Sequence, residues 1–187
     1  LKCRLIHIST PEVYGNLTKN TFENTIYHPT TPYAASRVTA DHFLHLLFSQ
    51  KKINYSSVRA SNVYGEYQRL YRIIPKTIFS IIKKKKLNLH GGGISKRNFI
   101  HIDDVSLATL KIMTSGKNGE CYHVSGSSMI SIRNLVKKIC KKMNYNFNKL
   151  VKFSKERKGK DKTYFLSSKK IQSKLKWRQK ISLDQGL

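Results

Sequence analysis

Apolar runs rich in β-branched residues alternate along this chain with segments whose apolar residues recur at helical spacing. Such runs predict strands buried on both faces, since a strand with one exposed face would alternate apolar and polar side chains. Strands are predicted at residues 4–9 (RLIHIS), 53–65 (INYSSVRASNVYG), 87–90 (LNLH) and 120–126 (ECYHVSG). The alternation of strands with helical segments is typical of an α/β protein.

The clearest predicted helix spans residues 32–52, because Thr31 can cap its start and Pro32 suits the first helical position. Further helices are predicted at residues 72–86, after a loop within 101–116, and at 131–144 with Ser131 as the cap. The tail from residue 149 is predicted as a strand, a basic loop and a short helix. A loop and a helix join the first two strands, so we expect these strands to be parallel and their crossover to be right-handed.

Length and composition limit the class of protein. The chain has 187 residues, 39% of them hydrophobic, which is enough for the core of one domain or slightly more. No apolar run approaches the roughly 20 residues that cross a bilayer, so we expect no membrane association. Its three cysteines are scattered without metal-site spacing. We therefore expect free thiols, no metal and a cytoplasmic location.

The formal net charge of +26 raises the question of a nucleic-acid partner. Lysines outnumber arginines and are spread over most polar stretches, together with many Asn and Ile residues. This distribution indicates a general compositional bias, and we expect no nucleic-acid binding. The competing hypothesis of a nucleic-acid binder predicts retention on DNA or RNA that falls steeply with salt.

Two neighbouring stretches carry candidate chemistry. In TPYAASR, Tyr33 and Arg37 are four residues apart and therefore share one helix face. A nearby cation favours the phenolate form, which a tyrosine needs to accept a proton, although such pairs are more often a cation packed on a ring. In STPEVYG, Thr10 and Glu12 follow the first strand, where open parallel sheets bind ligands. Glu12 could equally be a solvated loop residue.

The ordered set of motifs resembles one family along nearly the whole chain, from residue 5 to residue 187. The motifs are STPEVYG, PYAASR, VRASNVYG, RIIPK, LNLHGGGISKRNFIHIDDV, CYHVSG and ERKGKD followed by WR. They resemble the extended short-chain dehydrogenase/reductases that act on nucleotide sugars, and most of all the nucleoside-diphosphate-glucose 4,6-dehydratase branch. The resemblance implies the C-terminal part of a Rossmann-type parallel sheet plus a small α+β substrate-binding lobe. Residues 1–65 and 98–126 would belong to the NAD-binding domain, and residues 66–97 and 127–187 to the lobe.

The resemblance also implies a reaction in which bound NAD oxidises the sugar at C4, water leaves across C5 and C6, and hydride returns to C6. Oxidation comes first because a C4 ketone acidifies the C5 hydrogen. The resemblance implies that Tyr33 takes the proton of the C4 hydroxyl and that Arg37 supports Tyr33 and contacts the nicotinamide ribose. Thr10 would form a hydrogen bond near the C4 oxygen, and Glu12 would remove the C5 proton. Ser9 would contact the cofactor.

Five further residues match positions that hold the substrate in this family: Asn62, Arg72, His90, Arg97 and Arg157. Guanidinium groups suit phosphate oxygens, so these arginines would bind the pyrophosphate of a nucleoside-diphosphate sugar. Each residue also has a plain structural alternative, as a surface arginine, a strand-edge histidine or a turn asparagine. Relatives often dimerise through the tyrosine-bearing helix, and the apolar face of DHFLHLLFSQ suits a homodimer.

Three departures from the family pattern keep alternatives open. Arg37 stands where the family has lysine, and Pro11 stands where the compared dehydratases have the aspartate that helps the C6 hydroxyl leave. No glycine-rich dinucleotide fingerprint occurs in the chain, so we expect a partial sequence that lacks its amino-terminal part and is inactive alone. The open alternatives are a nucleotide-sugar epimerase, a UDP-glucuronate decarboxylase, and a non-catalytic relative that binds nucleotide sugars.

Overall fold

The structure is a computed structural model that describes residues 3–16, 20–155 and 165–187. Strands and helices follow one another as expected for an α/β protein. The strands are β1 (Arg4–Ile8), β2 (Asn20–Thr21), β3 (Asn54–Ala60), β4 (Asn62–Tyr64), β5 (Leu87–His90), β6 (Lys96–His101), β7 (Cys121–Val124), β8 (Met129–Ser131), β9 (Val151–Ser154) and β10 (Phe165–Leu166). The helices are α1 (Pro32–Ser49), α2 (Ile73–Ile82), α3 (Ile102–Ser115), α4 (Ile132–Lys142), α5 (Phe147–Leu150), α6 (Lys169–Leu175) and α7 (Leu183–Gly186).

The central sheet has the order β1-β3-β7, and both of its pairings are parallel. In its register, Leu5 lies opposite Tyr55 and Val58 lies opposite Tyr122. The predicted parallel pairing of the first two long strands is thus confirmed. Helix α3 packs against all three strands. Parallel strands place their carboxyl ends at one edge, so the residues that follow β1 and β3 lie close together.

The predicted strand at 53–65 is two strands. Ser61 separates them and donates its backbone N–H to the Val124 carbonyl at 2.9 Å, after which β4 pairs with β6. Strand β6 itself was not predicted, because its residues Arg97 and Asn98 are polar although they are only 7% and 1% exposed. The expected loop before the third helix was also wrong: α3 begins directly after β6, capped by His101.

Two large clusters of buried apolar residues form most of the core, and a third, small cluster consists of Val13, Tyr14 and Leu166. The first joins the central sheet to α3 and consists of Val58, Ile100, Ala108, Ile112, Tyr122, Val124, Ile171 and Trp177. The second lies among α2, β5 and α4, with Ile74, Ile81, Leu87, Leu89, Leu135, Val136 and Ile139 among its members. Ile171 and Trp177 pack on the sheet, although the expected boundary at residue 127 places them in the lobe.

In residues 3–16, 20–155 and 165–187, no helix is both long and apolar enough to cross a membrane. Within the same residues, no group of three or more His, Cys, Asp or Glu side chains is arranged to hold a metal ion. The three cysteines are free thiols: Cys3 is exposed, Cys121 is half-buried and Cys140 is buried.

Candidate active site

A cavity of about 490 Å³ opens beyond the carboxyl ends of β1 and β3. Six residues that the sequence singled out line it: Ser9, Thr10, Glu12, Tyr33, Asn62 and Arg72. They come from the segment after β1, the start of α1, β4 and the residue before α2. The cavity therefore unites a phenol, a carboxylate, two hydroxyls, an amide and a guanidinium at the sheet edge where parallel sheets bind ligands.

Glu12 is held by a short 3-10 helix, Pro11–Tyr14, that begins directly after Thr10. The Thr10 hydroxyl caps it by accepting a hydrogen bond from the Glu12 backbone N–H at 3.3 Å. Gly15 ends this helix with a φ of 65°, and a Cβ there would lie 2.3 Å from the His28 carbonyl oxygen. Because only glycine fits that position, the loop fixes where the Glu12 carboxylate leaves the backbone.

Tyr33 lies in the first turn of α1. The Thr31 hydroxyl caps this helix by accepting from the Ala34 N–H at 3.1 Å, and Pro32 occupies the first turn, as the sequence predicted. The Tyr33 side chain is 55% exposed, so its ring is available to a ligand in the cavity.

Arg37, one turn after Tyr33, is not among the described residues that line the cavity. Its Nη2 donates to the Ile8 carbonyl and lies 3.4 Å from His7 Nε2. The guanidinium is therefore bound to the end of β1, directly beside the residues that enter the cavity.

The remaining lining residues divide between buried and exposed positions. The Ser9 hydroxyl donates to Asp41 Oδ2 at 2.9 Å, and the Asn62 amide donates to the Asn98 carbonyl at 3.0 Å. Arg72 is exposed at the rim, with its guanidinium carbon 5.4 Å from the centre of the Tyr71 ring. Ser9 and Asn62, at the strand ends, are thus held in place by hydrogen bonds, whereas the Arg72 guanidinium at the edge of the cavity is exposed to solvent.

Three predicted substrate residues lie elsewhere. His90 lines a separate cavity of about 150 Å³, and its Nδ1 is 2.9 Å from Ser154 Oγ. Arg97 is buried in β6 and donates to the Lys96 carbonyl at 2.8 Å. Arg157 lies outside the described residues.

The segment after β4 contributes residues that the sequence did not single out. Glu66, Tyr67, Gln68, Arg69 and Tyr71 all line the cavity. Glu66 and Glu12 are the two carboxylates among its described lining residues. The residues after Gly65 mix polar and aromatic side chains without strand or helix spacing, so periodicity gave no signal for them.

A buried ion pair, which the sequence analysis also missed, lies against a separate cavity of about 780 Å³. Asp41 of α1 and Arg59 of β3 are 6% and 1% exposed, and Arg59 Nη2 lies 2.7 Å from Asp41 Oδ2. Burial alone would raise the pKa of Asp41, but the hydrogen bond from His7 and the charge of Arg59 outweigh it and hold this pKa below its usual value. An arginine in the middle of the predicted strand at 53–65 was the available signal for this pair.

Comparison with known proteins places this geometry in a family. The family described as GDP-mannose 4,6 dehydratase matches residues 1–187. The dTDP-glucose 4,6-dehydratase of Haemophilus influenzae is 32% identical over 98% of the chain and 58% of its own length.

Solved structures agree with this match. The crystal structure of a dTDP-glucose 4,6-dehydratase from Streptomyces venezuelae with NAD bound superposes with a TM-score of 0.93 at 29% identity, covering 98% of this chain and 57% of that one. A UDP-glucose 4-epimerase from Thermotoga maritima, solved with UDP-glucose, gives 0.91 at 26% identity, covering 98% and 60%. The chain thus spans a little over half the length of these relatives, and it belongs to the GDP-mannose 4,6-dehydratase family.

Proposed function

We propose that the complete protein is an NAD-dependent nucleotide-sugar 4,6-dehydratase that acts on a nucleoside-diphosphate-glucose. The observation that carries this proposal is the convergence of Tyr33, Thr10 and Glu12 on one cavity at the carboxyl ends of parallel strands. The similarity to dTDP-glucose 4,6-dehydratases supports the reaction class.

The three residues have complementary chemistry. In its phenolate form, the exposed Tyr33 side chain accepts the proton of the sugar C4 hydroxyl and becomes the neutral phenol, and the Thr10 hydroxyl hydrogen-bonds the C4 oxygen. The Glu12 carboxylate then removes the C5 proton, which the neighbouring C4 ketone has made acidic. A general acid or base of this kind contributes about 10²–10⁴-fold to rate when it is positioned within hydrogen-bond reach.

The residues present fit the nicotinamide end of NAD. Ile8 and Tyr33 both line the cavity and are 54% and 55% exposed, so an apolar side chain and a phenol face the same space. Arg37 supports this wall through the Ile8 carbonyl. NAD bound there would accept the C4 hydride and return it at C6.

We assign residues 1–65 and 98–126 to the NAD-binding domain.

The nucleoside diphosphate is assigned to the rim and the lobe, residues 66–97 and 127–187. Arg69 and Arg72 are exposed beside the cavity and can pair with phosphate oxygens. Arg97, His90 and Arg157 keep their proposed substrate roles, which require contacts to a bound ligand.

Glu66 compensates in our proposal for Pro11, which cannot protonate the leaving C6 hydroxyl. Glu66 lines the same cavity as Glu12, so one carboxyl can act as acid while the other acts as base. The variant Glu66→Gln should lower kcat for water loss by at least tenfold and leave NAD binding unchanged. Glu120→Gln, which alters a carboxylate in an ion pair with Lys170, is the matched control. Full activity of Glu66→Gln contradicts this role.

Two alternatives have their own motivation. The likeness to a UDP-glucose 4-epimerase and the proline at position 11 favour an epimerase, or a UDP-glucuronate decarboxylase, that would use the same C4 oxidation without loss of water. Arg37 in place of lysine favours a non-catalytic relative that binds nucleotide sugars.

One experiment separates these possibilities. The product of the complete reading frame is purified, its NAD content is measured, and it is incubated with a nucleoside-diphosphate-glucose while the 4-keto-6-deoxy product is followed by its absorbance in base. The proposal predicts bound NAD and formation of this product. Bound NAD with an epimerised or decarboxylated product favours the first alternatives, and nucleotide-sugar binding without turnover favours the second.

We also propose that the complete protein is a homodimer formed through α1. Phe43 and Leu46 are 59% and 51% exposed on the side of this helix opposite Ala34 and Asp41, and burying them against a second copy removes apolar surface from water. Phe43→Lys should shift the sedimentation coefficient toward that of a monomer.

A cytoplasmic location is supported by the free thiols, and fractionation of cells that express the tagged protein tests it.

A further inference from the structure

We propose that a buried polar cluster, made of His7, Ser9, Tyr14, Asp41 and Arg59 and here called the Asp41 cluster, positions the proton-transferring residues on the two walls of the cavity relative to each other. This inference rests on the proposed function for its catalytic readout. None of the five residues is assigned a proton-transfer step.

The first observation concerns how α1 is attached to the sheet. Of its 18 residues, Ala34 and Asp41 are the two that are buried. They are seven residues apart and therefore lie on the same side of the helix, two turns from each other. The helix that carries Tyr33 is thus attached by a fully buried carboxylate and methyl group, together with the half-buried Val38 and Phe48, so a charged group shares the place of the usual apolar stripe.

The second observation is that the Asp41 carboxylate contacts the end of β1 as well as β3. Asp41 Oδ2 accepts hydrogen bonds from Ser9 at 2.9 Å and from Arg59 at 2.7 Å, and Asp41 Oδ1 lies 3.1 Å from His7 Nε2. Ser9 and His7 flank the end of β1, directly before Thr10. The carboxylate of α1 therefore binds the strand end that leads into the cavity.

The third observation links the cluster to Glu12. Arg59 Nη1 donates to the hydroxyl of Tyr14, the last residue of the 3-10 helix that carries Glu12, and its guanidinium carbon lies 5.0 Å from the centre of the Tyr14 ring. The Tyr14 hydroxyl also lies 2.7 Å from His123 Nε2. A charged hydrogen bond in the dry interior is strong and directional. The cluster therefore fixes the Glu12 helix and the Tyr33 helix to one guanidinium–carboxylate pair.

Tyr27 provides a matched control for Tyr14. Its hydroxyl accepts from Arg59 Nη2, and its ring centre lies 4.8 Å from the guanidinium carbon. Tyr27 belongs to the segment between β2 and α1, which carries no candidate catalytic residue. Tyr14→Phe and Tyr27→Phe thus each remove a hydroxyl that bonds the same guanidinium. Tyr14 is part of the helix that carries Glu12, whereas Tyr27 contacts that helix through its ring, which both variants keep.

The catalytic test compares these two variants in the complete protein. Tyr14→Phe should lower kcat about tenfold with KM for the nucleotide sugar changed less than twofold, and it should increase the kinetic isotope effect with C5-deuterated substrate, because proton removal by Glu12 becomes slower. Tyr27→Phe should keep wild-type kcat and isotope effect, and its loss of thermal stability should be smaller, because Tyr27 is half-buried whereas Tyr14 is fully buried and also loses its contact with His123. Equal effects of the two variants on kcat, or none for either, overturn the proposal.

A second measurement does not depend on turnover. Amide hydrogen exchange in Asp41→Asn should rise together in the peptides that cover Pro11–Tyr14 and the start of α1, and not in those of α4. Leu135→Ala, which opens the second core at a fully buried position, should show the reverse pattern. If the wild-type protein has no turnover, the proposed function fails, and the hydrogen-exchange pattern alone tests the positioning role of the Asp41 cluster. Unchanged exchange in both segments of Asp41→Asn overturns the positioning role.

Discussion

At the scale of single residues, the proposed proton transfers depend on side chains whose backbone is fixed by short local interactions. Thr10 caps the helix that carries Glu12, and Thr31 caps the helix that carries Tyr33. Each cap satisfies a backbone N–H that would otherwise lack a helical partner. The chemistry therefore sits in first helical turns whose geometry is set by the preceding residue.

Tyr33→Phe should lower kcat by about 10²–10⁴-fold, because it removes the hydroxyl that exchanges a proton with the sugar. Binding of the nucleotide sugar should change little, since the ring remains. Steady-state kinetics and calorimetric titration measure the two effects. Tyr145→Phe, in a half-buried position next to the second core, is the control and should retain wild-type kcat. A Tyr33→Phe variant with undiminished kcat contradicts the assignment.

The sequence located Thr10, Glu12 and Tyr33 at the cavity because each directly follows a predicted strand or helix boundary. It did not reveal Asp41 or Arg59, since hydropathy treats a buried charge like an exposed one and only the three-dimensional pairing distinguishes them. It grouped Arg97 with Arg72, although the former is buried in a strand and the latter lies on the rim.

At the scale of elements, α1 shows most clearly how local sequence determines the position of the site. Its start at Pro32 was predicted from the cap and the proline, both of which act within one turn. Strand β6 could not be predicted in the same way, because the buried Asn98 satisfies its amide by donating to the carbonyls of Gly126 and Ser128. A strand whose buried side chains are polar lacks the apolar pattern from which strands are predicted, so periodicity does not identify it.

The variant Thr31→Ala should reduce the free energy of unfolding by about 1 kcal/mol, because the Ala34 N–H loses its cap. It should also lower kcat, since Tyr33 lies in the turn that frays. Urea denaturation followed by circular dichroism measures the stability. Thr39→Ala is the control on the same helix: its hydroxyl donates to the Ala35 carbonyl on the exposed face, so the change should stay within about 0.5 kcal/mol. Equal losses in the two variants would contradict the capping role.

At the scale of the whole molecule, the two large core clusters share β4 and β6 as their connection, and the Asp41 cluster joins β1 and β3 to α1. Burial and the nearby Arg59 lower the pKa of His123 from 6.5 to about 3, so this histidine is neutral in the folded protein. The unfolded chain takes up a proton at His123 below about pH 6.5, and the folded protein does not.

Stability should therefore fall as the pH drops below about 6.5, with a contribution from His123 of about 1.4 kcal/mol per pH unit. His123→Gln removes this contribution and should flatten the slope of unfolding free energy against pH between about pH 6.5 and 5 by roughly that amount. Parallel slopes for His123→Gln and the wild-type protein would show that His123 does not stay neutral in the fold.

A deuterium atom placed at C4 of the nucleoside-diphosphate-glucose reports directly whether C4 is oxidised and where its hydride goes. The complete protein is incubated with this substrate, and the position of the label in the product is read by NMR. A 4,6-dehydratase that oxidises C4 at the cavity formed by Thr10, Glu12 and Tyr33 predicts deuterium at C6 of a 4-keto-6-deoxy sugar. Deuterium retained at C4, or a product that has not lost water, would contradict the account.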